Sequence, residues 1–492
     1  MLSPERKMHL VTLRLLMALS VLAVGLAAAP VSAAAPPRVP LVENWAITPN
    51  LTALSFSERS VPTSGPESNF INSDLAFWRD MVIQGHYNGF RLVDVSRPTK
   101  PREIIDYEEC APKNPTGAVP GNQGDIAIYG DLLSRSWNSN TGPLGASCDG
   151  EFVPPGFEGL HLFDISDKRD PELIASVDLQ CGSHTQTMVP DRRNGRLLVY
   201  VGSSSATCQN FDIVEIPLRN PTGARVIRQI PTGGHPCHDI GVILGSAMKL
   251  ACAGGDSLTL YSLGGPDGGS LEAPEEMHHI LPGIPSSGHS AAFTYDGKVV
   301  VFGWEPGGGV RPACQATGTP LVPPIAGFSV QTDDMKSYFF FSVETGALLG
   351  KFVLPRDQGA DEACTIHNYN VVPLRKRGGD LRYVLVSGNY MSGISVVDFT
   401  NPANAREIAY ADPPAFPDGF AGGDWSTYWY NGRIYESDLV WGLLTWRIND
   451  RRVKGYYRTP YSNPQTQEFT IGAGDRRGDD DDDDDRGGGK DD

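Results

Sequence analysis

Four histidines stand just before or at the start of short apolar runs that are far apart in the chain. They are His184 in CGSHTQTMVP, His238 in GHPCHDIGVI, His289 in SSGHSAAFTY and His367 in DEACTIHNYNVVP. A neutral imidazole is a common ligand for zinc, copper, iron or nickel. Because no two of the four are close in sequence, only the fold can bring them together. They are either ligands around one site or structural residues that a repeated fold places at equivalent positions.

Three further runs carry an aspartate at the equivalent position: Asp74 in NSDLAFW, Asp125 in QGDIAIY and Asp424 in GGDWSTYWY. Carboxylates can complete a metal shell that imidazoles begin. The candidate metal ligands are therefore His184, His238, His289, His367, Asp74, Asp125 and Asp424. The metal would be Cu, Zn, Fe or Mn, and the sequence leaves its identity open.

Repeated elements must position these residues, and the chain contains internal repeats. The clearest copies are GFRLVDVSRPTKPREI at 89–104, GLHLFDISDKRDPELI at 159–174 and GISVVDFTNPANAREI at 393–408. Each copy has an apolar run that ends in aspartate, then a turn, then a second run. Asp94, Asp164 and Asp398 can accept hydrogen bonds from backbone N–H groups of that turn, which predicts a structural role for them.

The three copies resemble the LVIVD-repeat family of extracellular bacterial β-propellers. The matching residues are Leu92-Val93-Asp94-Val95, Leu162-Phe163-Asp164-Ile165 and Val396-Val397-Asp398-Phe399. Looser copies bring the number of strand groups to seven, and a four-stranded blade takes about 40–50 residues. We therefore predict an all-β, seven-bladed β-propeller over 45–465 with negligible helix, with six or eight blades as the alternatives because faint repeats are easily miscounted. Residues 40–55 could add an outer strand to the last blade, and a Gly/Pro-rich insertion at 303–327 explains the longest interval.

In a propeller, the first strand of each blade lines the central channel, so the seven candidate ligands would ring one mouth of it. Propeller repeats also place His or Asp near this strand to hydrogen-bond a neighbouring turn, so the structural alternative stays open. His235 is an alternative ligand. The remaining histidines are expected to be peripheral, the last two on an outer strand: His86, His161, His278 and His279.

Three functions are compatible with these residues. The first is metal binding together with binding of a small molecule or an extracellular protein or glycan. The second is a metal-dependent oxidoreductase, because the chain is similar in architecture and in histidine-bearing blades to methanethiol oxidases, the selenium-binding propellers. The third is a non-catalytic scaffold with structural histidines. Fold alone does not choose among them, and whether the chain is an enzyme stays open.

Residues 1–33 have the charged start, apolar run and small-residue cleavage site of a secretory signal peptide. With no later membrane span in the sequence, this predicts a secreted protein, expected to be monomeric. The net charge of −17 argues against nucleic acid as a partner. Residues 466–492, with seven consecutive aspartates, are predicted to be a disordered tail.

The eight cysteines indicate disulfides in an exported chain. Connectivity is not fixed by the sequence, and eight cysteines allow about 105 pairings. One expected set of pairs is Cys110–Cys148, Cys181–Cys237, Cys208–Cys252 and Cys314–Cys364.

Overall fold

The protein is a seven-bladed β-propeller, as predicted. The structure is a computed structural model, and it describes residues 39–61, 70–112, 123–138, 144–203, 205, 207–284, 286–306, 332–356, 362–363, 365–375, 381–415 and 422–472. The predicted signal peptide, most of the 303–327 insertion and most of the acidic tail lie outside these residues. No helix among the described residues is long and apolar enough to cross a membrane.

The first four blades follow one another along the chain, each with four antiparallel strands from the channel outwards. Two strands precede them, β1 (Ala46–Ile47) and β2 (Leu51–Glu58). Blade 1 has β3 (Asn72–Trp78), β4 (Met81–His86), β5 (Gly89–Asp94) and β6 (Arg102–Tyr107). Blade 2 has β8 (Ile126–Tyr129), β9 (Leu132–Trp137), β12 (Gly159–Asp164) and β13 (Glu172–Asp178). A separate side sheet next to it has β7 (Cys110–Pro112), β10 (Ala146–Cys148) and β11 (Glu151–Val153). Blade 3 has β14 (Thr185–Asp191), β15 (Arg196–Gly202), β16 (Asn210–Pro217) and β17 (Arg225–Pro231). Blade 4 has β18 (Asp239–Ile243), β19 (Lys249–Gly254), β20 (Ser257–Ser262) and β21 (Glu275–Ile280).

The last three blades repeat the pattern. Blade 5 has β22 (Gly288–Phe293), β23 (Val299–Trp304), β24 (Ser337–Ser342) and β25 (Leu348–Val353), with the helix α1 (Thr332–Met335) before β24. Blade 6 has β26 (Tyr369–Val371), β27 (Val384–Gly388), β28 (Ile394–Asp398) and β29 (Arg406–Asp412). Blade 7 has β30 (Asp424–Tyr430), β31 (Arg433–Asp438) and β32 (Gly442–Ile448). Single 3₁₀ turns occur at Pro40–Val42, Pro221–Gly223, Gly265–Asp267 and Pro402–Asn404.

The ring is closed by strand β2 from the start of the described chain. It pairs antiparallel with β32, from Leu51 opposite Ile448 to Glu58 opposite Gly442, and so becomes the outer strand of blade 7. This confirms the expectation that residues 40–55 contribute such a strand, although the strand extends to residue 58. At the seam between blades 7 and 1, the rings of Phe77 and Tyr430 stack with centroids 4.7 Å apart. Closure therefore combines a shared sheet with aromatic packing, which removes the exposed strand edge.

The three LVIVD-like copies form the third and fourth strands of blades 1, 2 and 6. In each, the aspartate that ends the third strand accepts a hydrogen bond from the backbone N–H two residues later. The N···Oδ1 distances are 2.9 Å for Asp94, 2.7 Å for Asp164 and 3.0 Å for Asp398. The predicted structural role of these aspartates is confirmed.

A segment at residues 455–472, here called the closing segment, covers the end of the channel at which the inner strands finish. It contains β33 (Tyr461–Ser462), which pairs with β3, and β34 (Thr466–Gln467), which pairs with β18. Its side chains reach the inner strands of blades 2, 3 and 5: Asn463 bonds both backbone groups of Ile128, Thr466 bonds Met188, and Gln467 bonds both backbone groups of Phe293. Backbone bonds to the inner part of blade 6 and side-chain bonds from Asn431 of blade 7 complete the set. Residues 466–472, assigned to the tail from the sequence, belong to this segment.

Three disulfides pair all six cysteines that lie among the described residues. Cys110–Cys148 is confirmed and lies in the side sheet of blade 2. The other two expected pairings are wrong: the bonds are Cys181–Cys208 and Cys237–Cys252. The last joins the start of the inner strand of blade 4 to the adjacent strand, so pairing follows sheet neighbours within a blade. Cys314 and Cys364 lie outside the described residues.

Candidate metal centre

The four candidate histidines meet at one mouth of the channel, opposite the closing segment. His184 and His238 directly precede the inner strands of blades 3 and 4, His289 is the second residue of β22, and His367 comes two residues before β26. Successive imidazole rings have centroids 4.2, 4.3 and 4.6 Å apart, in the order His184, His238, His289, His367. We call these four the ring histidines. The fold thus brings together four residues that are spread over positions 184–367 of the sequence.

The ring histidines differ in their access to solvent. His289 and His367 are buried, with 3% and 1% of their surfaces exposed, whereas His184 and His238 are half-buried. A solute would therefore reach the group from the side of blades 3 and 4. The two buried members lie deeper against the walls of blades 5 and 6.

Two carboxylates lie among the ring histidines, and neither was a candidate from the sequence. Asp239 Oδ1 is 3.3 Å from His238 Nδ1, and Asp239 Oδ2 is 3.9 Å from His289 Nδ1. Glu305, directly after β23, places its carboxylate 3.5 Å from His289 Nε2 and 3.7 Å from His367 Nε2. All four distances exceed those of good hydrogen bonds. The possible metal ligands are thus imidazole nitrogens and carboxylate oxygens, which point towards one another without forming good hydrogen bonds.

Several buried atoms at this mouth have no hydrogen-bond partner. They are Nδ1 of His238, Nδ1 of His289 and Oδ1 of Asp239. Buried polar groups without a partner cost about 1–3 kcal/mol each, and native proteins keep few of them. A bound cation would satisfy all three atoms, so the residues present fit a metal ion. His238, Asp239 and His289 form one group of convergent ligand atoms, and His289, Glu305 and His367 form a second that shares His289.

The surroundings keep three of the ring histidines neutral, namely His184, His289 and His367. Burial, reinforced by neighbouring imidazoles, holds the pKa of His184 and of His289 well below its usual range. Burial also lowers the pKa of His367 to about 3, although the bond from its Nδ1 to the Trp425 carbonyl opposes the shift. Neutral imidazoles are the form that binds metals.

Hydrogen bonds orient two of the rings. His367 Nδ1 donates to the backbone carbonyl of Trp425, so the lone pair of the neutral ring is on Nε2, the nitrogen that faces Glu305. His184 Nδ1 contacts the side-chain amide of Asn138, in blade 2. Such bonds fix ring orientation in metal sites.

Tyr390 forms the wall of the site beside His367. Its ring centroid is 4.4 Å from that of His367, and its hydroxyl donates to Glu305 Oε1. Burial raises the pKa of Glu305 to about 7, although the Tyr390 bond opposes the shift. Tyr390 has φ of 50°, a left-handed conformation that is uncommon for a bulky residue and is typical of functional sites. Two backbone hydrogen bonds with Asp424 hold it there.

The three candidate aspartates begin the inner strands of blades 1, 2 and 7, as expected, but they form other groups. Asp74 accepts hydrogen bonds from Ser426 and Tyr428 at 2.5 and 2.7 Å, and it is also bonded to Asp125. Burial, with the adjacent Asp74, raises the pKa of Asp125 well above its usual range. The candidate set of seven residues thus divides into the ring histidines, an aspartate pair and Asp424.

Asp424 belongs to a separate buried group with Glu436 and Asp438, which we call the carboxylate trio. Burial raises the pKa of each of the three, to about 7 for Glu436.

The remaining histidines lie elsewhere. His235 is paired with Asp256 at 2.7 Å, and its ring contacts His279 rather than the ring histidines. His278 and His279 are on the outer strand β21, as expected. The expectation that His86 and His161 are peripheral is wrong in one respect, because both are fully buried within their blades. His86 bonds Asn88 and Asp106, and His161 packs against aromatic rings.

Sequence reasoning missed three residues of the site, Asp239, Glu305 and Tyr390. Asp239 had a signal, since it directly follows His238. Glu305 had a weaker one, an acidic residue at the end of the apolar run VVVFGW. Tyr390 had none, because its approach depends on the turn after β27.

Comparison with known proteins adds little to this description. No protein-family model and no curated protein matches the chain. Among solved structures, a chain of "Crystal Structure of Mitotic Checkpoint Complex" aligns with a TM-score of 0.46 and 10% identity over 85% of this chain and 97% of that one. A likeness at this level carries no functional argument, so the function rests on the site.

Proposed function

We propose that the protein binds a transition-metal ion at the channel mouth through the ring histidines, with the carboxylates of Asp239 and Glu305 as additional ligands. The observation that carries the proposal is the unbroken row of four imidazoles in contact, together with buried atoms among them that lack hydrogen-bond partners. A purely structural role would require each imidazole to find a hydrogen-bond partner, and Nδ1 of His238 and of His289 has none.

The donor chemistry selects the class of metal. Imidazole nitrogen suits zinc, copper and iron, and the carboxylates extend the range to manganese. Bound in this position, such an ion would supply Lewis-acid or redox chemistry. His367 is already oriented for binding by the Trp425 carbonyl, and the half-buried His184 and His238 leave the group open to a small molecule.

A second candidate is a metal-dependent oxidoreductase, as the similarity to methanethiol oxidases would imply. The hydrogen bond from Tyr390 to Glu305 favours it. With a pKa of about 7, Glu305 can hold or release a proton near neutral pH beside the ring histidines. Metal binding alone does not need such a proton carrier, whereas turnover of a substrate does.

We also propose that the protein is a secreted member of the LVIVD-repeat propellers. The three repeat copies, the signal-like residues 1–33 and the three disulfides support this. Expression with export, followed by sequencing of the mature N-terminus, tests it: cleavage near residue 33 is expected, and an intact cytoplasmic chain would refute it.

Metal analysis of variants tests the metal-binding proposal. Protein treated with chelator is incubated with copper, zinc, iron or manganese, desalted and analysed for metal. His289→Ala and His367→Ala should lose most of the bound metal. His278→Ala, on an outer strand, should keep it and serves as the matched control. If the ring variants lose thermal stability while wild-type protein takes up no metal, the ring histidines are structural and the scaffold function is correct.

A further inference from the structure

We infer that the carboxylate trio, Asp424, Glu436 and Asp438, is a second cation site, selective for a hard divalent ion such as Ca²⁺. It lies within blade 7, where β30 and β31 pair at the histidine-bearing mouth. Asp424 is opposite Asp438 in the register, and Glu436 is two residues before Asp438 on the same face. One ligand atom from each residue lies within 4.8 Å of those from the other two.

Each carboxylate of the trio has one oxygen that is bonded by the protein. Oδ1 of Asp438 accepts from the backbone N–H groups of Val440 and Trp441, both at 2.8 Å. Oδ2 of Asp424 accepts from the Thr427 hydroxyl at 3.1 Å. Oε2 of Glu436 accepts from the indole N–H of Trp446 at 2.6 Å. These bonds fix the orientation of all three side chains.

The second oxygen of each carboxylate has no donor from outside the trio. Oδ1 of Asp424, Oε1 of Glu436 and Oδ2 of Asp438 are all buried without such a hydrogen bond, and the three residues are 0% exposed. Asp424 and Glu436 lie close enough to share a proton. Among the described residues, no lysine, arginine or histidine forms an ion pair with any of them. The fold therefore aims three unpartnered oxygens at one another with no positive charge between them.

Only a cation or shared protons can occupy such a place, because isolated buried charges are too costly to keep. Three oxygen ligands and no nitrogen or sulfur suit Ca²⁺, Mg²⁺ or Mn²⁺ rather than zinc or copper. Ca²⁺ takes about six to eight oxygens and tolerates irregular geometry, and waters would supply the remainder. The trio would thus prefer a different ion from that of the ring histidines.

The position gives the ion a structural role at the closure of the ring. The carbonyl of Asp438 accepts from the side chain of Asn72 in blade 1, and a β-carbon on Gly388 of blade 6 would meet Cβ of Asp424 at 2.8 Å. An ion that removes the repulsion within the trio would stabilise blade 7 against both neighbours.

Calcium titration of chelator-treated protein tests the inference. The protein carries His289→Ala, so that failure of the ring-histidine site leaves this test unaffected. One Ca²⁺ per chain and a higher melting temperature are expected. Glu436→Gln and Asp438→Asn should each weaken Ca²⁺ binding by about tenfold or more. In both variants the amide oxygen can keep the existing hydrogen bond while the unpartnered oxygen is replaced by nitrogen. Asp164→Asn, which likewise keeps a turn bond, is the control that should leave binding unchanged.

A second measurement does not depend on the variants. Tb³⁺ bound at the trio should luminesce on excitation of tryptophan, because the Trp446 indole bonds Glu436 directly, and Ca²⁺ should displace it. Three results would overturn the inference. The first is that Ca²⁺ does not bind saturably and both amide variants are more stable than their parent. This result would mean that shared protons, and not a cation, neutralise the carboxylate trio. Another is Ca²⁺ binding that survives both variants, which assigns the ion to other carboxylates such as the Asp-rich tail. The last is Tb³⁺ luminescence that Ca²⁺ does not displace.

Discussion

Replacing His367 by asparagine should remove part of the acid sensitivity of the metal-free protein. The pKa of His367 is about 3 in the folded state, against an ordinary value of 6.5. Folding therefore keeps the ring neutral, and the unfolded chain takes up a proton below pH 6.5. The resulting stability is present above pH 6.5 and is lost as the pH falls towards 3.

The size of this effect follows from the shift. Each pH unit within the window costs about 1.4 kcal/mol, so the imidazole alone accounts for about 2–3 kcal/mol between pH 6.5 and 4.5. Glu305 acts in the opposite sense. Its folded pKa of about 7 exceeds its ordinary value of 4.5, so its contribution is present below pH 4.5 and is lost as the pH rises through 7. Glu305 is present in both proteins, and the causes of its shift include Tyr390, His238 and Asp239 but not His367. The difference between wild type and variant therefore reports the His367 imidazole together with its smaller effect on His184 and His289, whose pKa values are lowered first by burial and then by neighbouring imidazoles that include His367.

Urea unfolding of chelator-treated protein at several pH values between 7 and 4.5 measures the difference. Asparagine can still donate to the Trp425 carbonyl, so the fold should survive. The free energy of unfolding of His367→Asn should fall less steeply with acid, by about one proton. Parallel curves for the two proteins would show that His367 is not held neutral in the folded state, and the argument for a metal-ready imidazole would fail.

Three other perturbations test the surrounding framework. Asn463→Ala should lower the free energy of unfolding by about 2–6 kcal/mol, because it leaves two buried backbone groups of blade 2 without a hydrogen-bond partner, at about 1–3 kcal/mol each. An unchanged urea midpoint would mean that the closing segment does not stabilise this end of the channel. Replacing Cys110 and Cys148 together by serine should cost about 4 kcal/mol, from the loop of 38 residues that the bond closes, and calorimetry that finds no loss would contradict the cross-link. Tyr390→Phe should raise the pKa of Glu305 above about 7, since the phenol bond now lowers it; infrared titration of the protonated carboxyl band measures this, and a downward shift would refute the bond.

The blade pattern and the ring positions could be predicted because they are encoded locally. A strand ending in aspartate needs the turn that follows to satisfy the carboxylate, so the LVIVD-like copies repeat that signal wherever the chain leaves a third strand. Counting such units gave the number of blades, and the first strands then placed His184 to His367 at one mouth. The outer strand supplied by β2 was also predictable, because a ring of blades must be closed.

What could not be predicted depends on contacts between blades. Asp74 and Asp424 occupy ring positions equivalent to those of the histidines, yet Asp74 bonds Ser426 of blade 7 and Asp424 bonds Thr427 of its own strand. Glu305 reaches His289 and His367 only because blades 5 and 6 are adjacent. The closing segment has no repeat signal, since its polar side chains are matched to backbone groups of blades 2, 3 and 5. The disulfide expectation failed at Cys181–Cys237 and Cys208–Cys252 because each skipped a cysteine, whereas the observed bonds join consecutive cysteines, Cys181–Cys208 and Cys237–Cys252.

Anomalous X-ray diffraction from crystals of the metal-loaded protein tests the central claim most directly. Chelator-treated wild-type protein is incubated with copper, zinc, iron or manganese, desalted and crystallised, and data are collected at the absorption edge of the metal. We expect an anomalous peak among the ring histidines, in contact with His289 and beside Glu305, for at least one of these metals. Diffraction with no peak at that mouth for any of the four metals would contradict it.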